Sequence, residues 1–246
     1  MVHDLVYGVN AVYEALRGSR VAYELFLADG ADRRLEPLIR LAEERGVPQH
    51  RRDRSSLSRL AGSDHHQGAV LRVEPYPYTD LNDLLSSWKA GGQPGLVLVL
   101  DGIQDPHNLG ALIRSAACAG AHAVIIPQDR ACRVTPTVEK ASAGAAESIP
   151  VVQVTNISTV LELLKREGFW VYGADGEARE RLYSHDFRGN TVLVIGSEGE
   201  GIRPLVKKRC DVLISIPLKG AVGSLNASVA GGVMLFEAVR QRQGVC

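Results

Sequence analysis

The residues best suited to chemistry in this 246-residue chain gather in three short polar segments. The first, Asp101-Gly-Ile-Gln-Asp-Pro-His-Asn108, runs into a stretch made almost wholly of Leu, Ile and Ala, in which Arg114 is the exception. A guanidinium offers a planar fork of donors that matches phosphate and keeps its charge at any physiological pH. A surface or interhelix ion pair would account for Arg114 as well. The second segment, Gly196-Ser-Glu-Gly-Glu-Gly201, has glycines spaced G-x-x-G-x-G, which is neither the dinucleotide fingerprint nor a phosphate-binding P-loop. Glu198 and Glu200 would repel a pyrophosphate, so this loop suits a neutral or cationic ligand, or hydroxyl groups. A tight turn before Pro204 would also explain its glycines. The third segment passes from Ile216-Pro-Leu218 to Ser224-Leu225-Asn226 and on into Ala-Ser-Val-Ala-Gly-Gly, a small-residue face that lets another helix approach closely. Helix capping explains one of Ser224 and Asn226 but not both.

These segments follow apolar runs that read as strands. Leu96–Leu100 is wholly apolar, as a parallel strand buried on both faces should be. Asn108 is expected to cap the helix over about 109–119, with Gly120 as its stop. Further strands are expected at 122–126, 149–154, 169–173, 191–196 and 212–216, and helices near 136–146, 157–167, 203–209 and 226–242. This alternation predicts an α/β domain with a mostly parallel sheet, whose ligands sit beyond the carboxyl ends of the strands. Residues 1–74 read as a smaller α/β unit with helices over 10–17, 32–45 and 55–60 and strands over 23–28 and 69–73. A linker is expected over 75–94, around Pro75-Tyr-Pro-Tyr78, and the larger domain over 95–246.

Composition narrows the field. With 28 basic and 28 acidic residues the formal charge is zero, which argues against a nonspecific polyanion binder. None of the first 75 residues is lysine; arginine suits phosphate recognition, and a codon bias toward arginine explains the composition at least as well. Cys118, Cys132, Cys210 and Cys246 have no metal-ligand spacing, and Cys118 reads as a small core residue. No apolar stretch is long enough to span a bilayer and no signal peptide is evident, so the expectation is a soluble, reduced, cytoplasmic protein without a metal.

Taken in order, Asp105-Pro-His-Asn-Leu-Gly110 with Arg114, Gly196-Ser-Glu-Gly-Glu-Gly201, and Ile216-Pro-Leu followed by Ser224-Leu-Asn-Ala-Ser-Val-Ala230 closely resemble the signatures of the SpoU (TrmH-type) branch of the SPOUT methyltransferases. The resemblance covers about residues 96–243. Tyr7-Gly-Val-Asn-Ala-Val12, Glu14-Ala-Leu16 and His66-Gln-Gly68 resemble the substrate-binding domain, similar to ribosomal protein L30e, of one subgroup. That subgroup includes the bacterial 23S rRNA guanosine 2′-O-methyltransferases of the peptidyl-transferase P loop, which this chain resembles most. Leu218 in place of methionine, Lys219, Gly223, and Ala227 in place of valine depart from the pattern but spare its polar residues.

The resemblance implies a trefoil-knotted catalytic domain holding S-adenosylmethionine, with backbone around Ile195, Gly196, Gly201, Ile216, Leu218 and Leu225 binding the cofactor. It implies a catalytic set of Arg114, Asn108, Glu198, Ser224 and Asn226. In the family the residue matching Arg114 serves as base or prepares the ribose hydroxyl with a neighbouring phosphate; because a guanidinium holds its proton, the phosphate-clamp role is preferred. Partners implied are 23S rRNA or a ribosomal precursor particle and a second copy of the chain. The helix over 226–242 carries Val229, Val233, Phe236 and Val239 on one stripe, which would serve as core or, as in the family, as a homodimer interface. Arg51, Arg52 and Arg54 would face RNA phosphate or solvent, and Tyr76 and Tyr78 would stack on a base or pack the linker. His107 reads as a proton carrier or a structural hydrogen-bonder. Alternatives are a tRNA ribose 2′-O-methyltransferase, an rRNA methylase conferring antibiotic resistance, or a noncatalytic RNA-binding protein. The intact polar set speaks against the last.

Overall fold

The computed structural model describes residues 3–30, 33–220 and 223–243. They fall into two units, one running to Pro77 and including Val134–Ser148, the other comprising Tyr78–Arg133 and the chain from Ile149 on.

The first unit opens with β1 (Asp4–Tyr7), α1 (Val9–Arg17), β2 (Ala22–Ala28), α2 (Glu36–Glu44), β3 (Gln49–Arg52), α3 (Arg54–Ala61) and β4 (Ala69–Val73). Its four strands lie in the order β1-β4-β2-β3, antiparallel except for the β2–β3 pair. Ala11, Val12, Ala15 and Leu16 put one face of α1 into the core with Leu25, Leu38 and Leu71. The helix expected over 32–45 is shorter, because a 3₁₀ turn at Arg33–Leu35 leads into α2, where Pro37 suits the first turn of a helix. Asp32, its expected start, lies outside the described residues. The strands expected from sequence include neither β1 nor β3. The latter, Gln-His-Arg-Arg, is an edge strand with no apolar residue to announce it.

The second unit contributes α4 (Leu81–Gly91), β5 (Leu96–Asp101), α5 (Pro106–Cys118) and β6 (Ala123–Pro127). The chain then enters α6 (Pro136–Ala141), which belongs to the first unit. The helix expected over 136–146 breaks after α6, where Ala143 and Gly144 take φ of +53° and +86°, and resumes as a 3₁₀ turn at Ala145–Glu147. Arg20 fastens this segment. Its guanidinium, 1% exposed, donates to Glu139 (2.5 Å) and Glu147 (2.7 Å), binds the Glu74 carbonyl (2.7 Å) and lies over the Tyr76 ring. The Tyr76 hydroxyl donates to the Ala146 carbonyl at 2.7 Å, so this tyrosine packs the linker and does not present itself to a base.

The remaining elements are β7 (Val151–Val154), α7 (Ile157–Arg166), β8 (Trp170–Ala174), β9 (Glu180–Arg181), β10 (Thr191–Gly196), α8 (Pro204–Lys207), β11 (Val212–Ser215) and α9 (Ala227–Arg242). The seven strands order β7-β6-β5-β10-β8-β11-β9, every neighbouring pair parallel. β5 and β10 are buried along their whole length, which explains why neither shows polar alternation. α9 packs on α5 and β10 through Gly231, where a Cβ would stand 2.3 Å from Leu112 Cδ2; the small-residue face is a close helix crossing.

Candidate active site

Side by side in the sheet, β5 and β10 place Asp101 opposite Gly196, so the first two polar loops leave the same edge together. Asp101, its side chain fully buried, accepts from the Arg203 backbone N–H (2.8 Å) and from Arg203 Nε (2.7 Å), tying the far end of the second loop to the first strand. Between these ends, Ser197 and Gly201 exchange backbone hydrogen bonds of 3.2 and 3.0 Å. A Cβ on Gly196 would stand 2.0 Å from Gly201 C and 2.2 Å from Ile202 N, so only glycine lets this loop close.

A directed chain of amides joins all three polar segments. Asn226 Nδ2 donates to Asn108 Oδ1 at 3.1 Å, and Asn108 Nδ2 donates to the Glu198 carboxylate. The other end of the Asn226 amide caps α9, its Oδ1 accepting from the Ser228 N–H (2.9 Å) and hydroxyl (2.6 Å). Asn108 does not cap α5. Asp105 does so, accepting from the His107 N–H at 2.9 Å, which releases the Asn108 side chain to reach across to Glu198. Pro106 at the first helical position moves the start of α5 forward of the expected residue 109. Gly120, with φ of +68°, does end the helix.

Beyond these strands lies a cleft of about 490 Å³. Ile195, Gly196, Gly201, Ile216, Leu218 and Leu225 all line it, with Glu198 and Ser224. Glu200 of the second polar segment lines it too, as do Asp175, Glu177 and Lys207, which no sequence motif marks as cleft residues. Lys207 donates to Asp175 at 2.7 Å and thereby holds that carboxyl below its ordinary range. Among the described lining residues Lys207 is the sole Lys or Arg, and it is paired. An apolar seat with carboxylates and no unpaired cation suits a neutral aromatic ring joined to a separate cationic group and repels phosphate. These residues fit S-adenosylmethionine.

Arg114 is not in the cleft lining. Six residues beyond Asn108, it lies about 120° around α5 from it, exposed and without a hydrogen-bond or ion-pair partner among the described residues. The ion-pair explanation for Arg114 therefore does not hold. Cys118, one turn further on the same side, is exposed and is not the core residue expected. On α9, Val229 and Phe236 are 50% and 49% exposed and Val233 and Val239 half-buried, while Met234, Leu235 and Ala238 face the core. The stripe read from sequence is therefore the outward one. The signals that sequence reading lacked are register facts: nothing in Asp101 or Arg203 alone says that one ends beside the loop that the other closes.

The profile of the SpoU rRNA Methylase family matches residues 95–236, and that described as RNA 2′-O ribose methyltransferase substrate binding matches residues 5–79. The chain is 46% identical over 244 residues to the 23S rRNA (guanosine-2′-O-)-methyltransferase RlmB of Escherichia coli K12, covering 97% of this chain and 99% of the relative. It is also 46% identical to the enzyme of the same name from Ralstonia nicotianae, with 98% and 97% covered. Among solved structures, the SpoU methyltransferase AviRb of Streptomyces viridochromogenes in complex with AdoMet superposes with a TM-score of 0.83 at 27% identity, covering 98% of this chain and 91% of that one.

Proposed function

The chain belongs to the SpoU rRNA methylase family, and from that starting point we propose that it methylates the 2′-hydroxyl of a guanosine in 23S rRNA, in the peptidyl-transferase P loop, during ribosome assembly. The observation that carries the reading is the Asn226–Asn108–Glu198 chain, because it joins three sequence-distant motifs and ends on Glu198, which lines the cleft. S-adenosylmethionine, when bound, supplies an electrophilic methyl group on a cationic sulfur. Ile195, Ile216, Leu218 and Leu225 would seat its adenine, Gly196 and Gly201 would let backbone approach it, and the cleft carboxylates suit its charge.

A ribose hydroxyl is a weak nucleophile until its proton leaves. Arg114 would grip the adjacent phosphate with its fork of donors and orient the ribose, proton removal being assisted by that phosphate, since a guanidinium already holds its own proton. Asn108, Glu198, Ser224 and Asn226 would fix the geometry of approach, an effect of positioning more than of charge. Because Arg114 is exposed on α5, and α9, which packs on α5, carries an outward apolar stripe, the working enzyme is read as a homodimer whose interface brings Arg114 to a completed site. The return of the chain from β11 to pack α9 on β10 and α5 is the path that a trefoil knot would take. Among the described residues no helix is long and apolar enough to cross a membrane. Mapping 2′-O-methyl groups on rRNA and tRNA from cells with and without the gene tests the proposal: one guanosine of 23S rRNA should lose its methyl, and loss from tRNA alone would replace the substrate.

A further inference from the structure

Several arginines of the first unit are engaged with its own acids and carbonyls. Arg17 pairs with Glu14, Arg20 with Glu139 and Glu147, and Arg72 with Glu24, while Arg45 binds the carbonyls of Leu16 and Gly18. Four others stand within nine residues where β3 turns into α3: Arg51, Arg52, Arg54 and Arg59. Residues 51–55 are exposed without interruption, Arg59 is exposed too, and none of the four forms an ion pair among the described residues.

The local carboxylate does not neutralise them. Asp53 alone is acidic between 49 and 59, and its oxygens accept from the Ser55 hydroxyl (2.5 Å), the Ser56 N–H (2.9 Å) and the Ser56 hydroxyl (2.7 Å), holding it well below the usual carboxylate range. Three of the arginines are tethered by one nitrogen each: Arg51 to the Ala28 carbonyl (2.8 Å), Arg52 to the Arg51 carbonyl (3.4 Å) and Arg59 to the Ser56 hydroxyl (2.9 Å). A guanidinium held by one nitrogen keeps donors for a ligand and has less rotamer freedom left to lose on binding. β3 is an edge strand, paired only with β2, so no neighbouring strand covers it. With a net charge of zero, the chain as a whole supplies no long-range attraction for a polyanion, and the attraction must be local.

We infer that this β3–α3 corner is the surface through which the first unit grips the phosphate backbone of its RNA. The inference rests on the activity proposed above, and it assigns affinity, not base identity, to these residues. The test uses the full chain and in vitro transcribed 23S rRNA. Binding is measured from 50 to 300 mM salt, and methyl transfer as a function of RNA concentration. Removing one arginine–phosphate pairing lowers the slope of log affinity against log salt by about 1, so R51Q/R52Q/R54Q should lower it by about 2 to 3. The same variant should raise KM for RNA while kcat and S-adenosylmethionine affinity stay at wild type. The variant K89Q/R188Q/R209Q removes the same charge from exposed ion pairs of the second unit and should leave the slope in place. Equal effects in both variants would mean that net charge, not this corner, governs binding. An unchanged slope and KM in R51Q/R52Q/R54Q, with wild-type methylation intact, would overturn the inference alone. A wild-type chain that neither binds nor methylates 23S rRNA would overturn the proposed activity, and the inference with it.

Discussion

Gly196 offers the sharpest test of how the cleft is built. Replacing it with alanine puts a methyl 2.0 Å from Gly201 C and 2.3 Å from Gly201 O, and the obstacle is backbone, which has no rotamer to change. Ordinary contact begins at 3.4 Å, so the Gly201–Ile202 peptide must retreat by roughly 1.4 Å. That displacement breaks the paired Ser197–Gly201 hydrogen bonds, worth about 0.5–1.5 kcal/mol each, and adds an overpacking cost of about 1–3 kcal/mol. If about 2–4 kcal/mol of this falls on the ligand-competent loop, S-adenosylmethionine affinity drops between about 30-fold and 1,000-fold. Two neighbouring glycines calibrate the result. Gly199 has nothing within 4 Å of an added Cβ and no positive φ, so Gly199→Ala should bind within twofold of wild type. Gly201 also has open space but a φ of +66°, so Gly201→Ala should cost about 1–2 kcal/mol of backbone strain. Isothermal titration calorimetry with S-adenosylmethionine, on variants whose melting curves establish folding, ranks the three. Gly196→Ala binding within threefold of wild type, or a loss at Gly199 matching that at Gly196, would refute the steric reasoning.

Arg114→Lys keeps the charge but not the fork, so it should retain RNA and S-adenosylmethionine binding and lose about 100-fold in single-turnover methyl transfer; near-normal turnover would remove the clamp role. Burial pushes the Glu139 carboxyl up to about 7, against the opposing pull of Arg20 and with Glu147 adding to the rise. Since its folded value lies above the ordinary 4.5, Glu139 contributes stability that is complete below that pH and fades as pH rises through about 7. Chemical unfolding at pH 5 and pH 8 should therefore show wild type losing up to about 3 kcal/mol relative to Glu139→Gln, and parallel curves would contradict this. Charge on the outward face of α9, as V229E/F236E, should give monomers in sedimentation velocity and abolish transfer while S-adenosylmethionine still binds.

The strands of the second unit are legible because a sheet covered on both faces demands apolar runs, and Leu96–Leu100 and Val192–Ile195 have little else. Polar edge strands carry no such mark, which is why β3 is hidden in the sequence although its arginines are not. At the cleft, the residues that motif spacing singles out do converge, but their partners follow from register. Asp101 meets Arg203, and Asp175 meets Lys207, only because β10 lies between β5 and β8. Asn108 is visible as a helix-start residue, yet the helix begins at Pro106 under an Asp105 cap, and that three-residue difference turns a cap into a link between loops. Arg114 shows the opposite case. Its oddity in an apolar helix is plain in the sequence, whereas its outward placement is a property of how α5 meets α9.

The segment Val134–Ser148 makes the first unit a two-piece object: its amino-terminal stretch ends at Pro77, and the acids that neutralise Arg20 arrive some sixty residues later. A nick after Pro77 would therefore sever the backbone without freeing the fragment, which would stay clasped to α6 as the halves of a split protein do. By the same token, a gene fragment halted near residue 79 would leave Arg20 without both of its close carboxylates, with Asp4 at 3.6 Å as the acid that remains. Exchanging this module between relatives requires carrying both pieces.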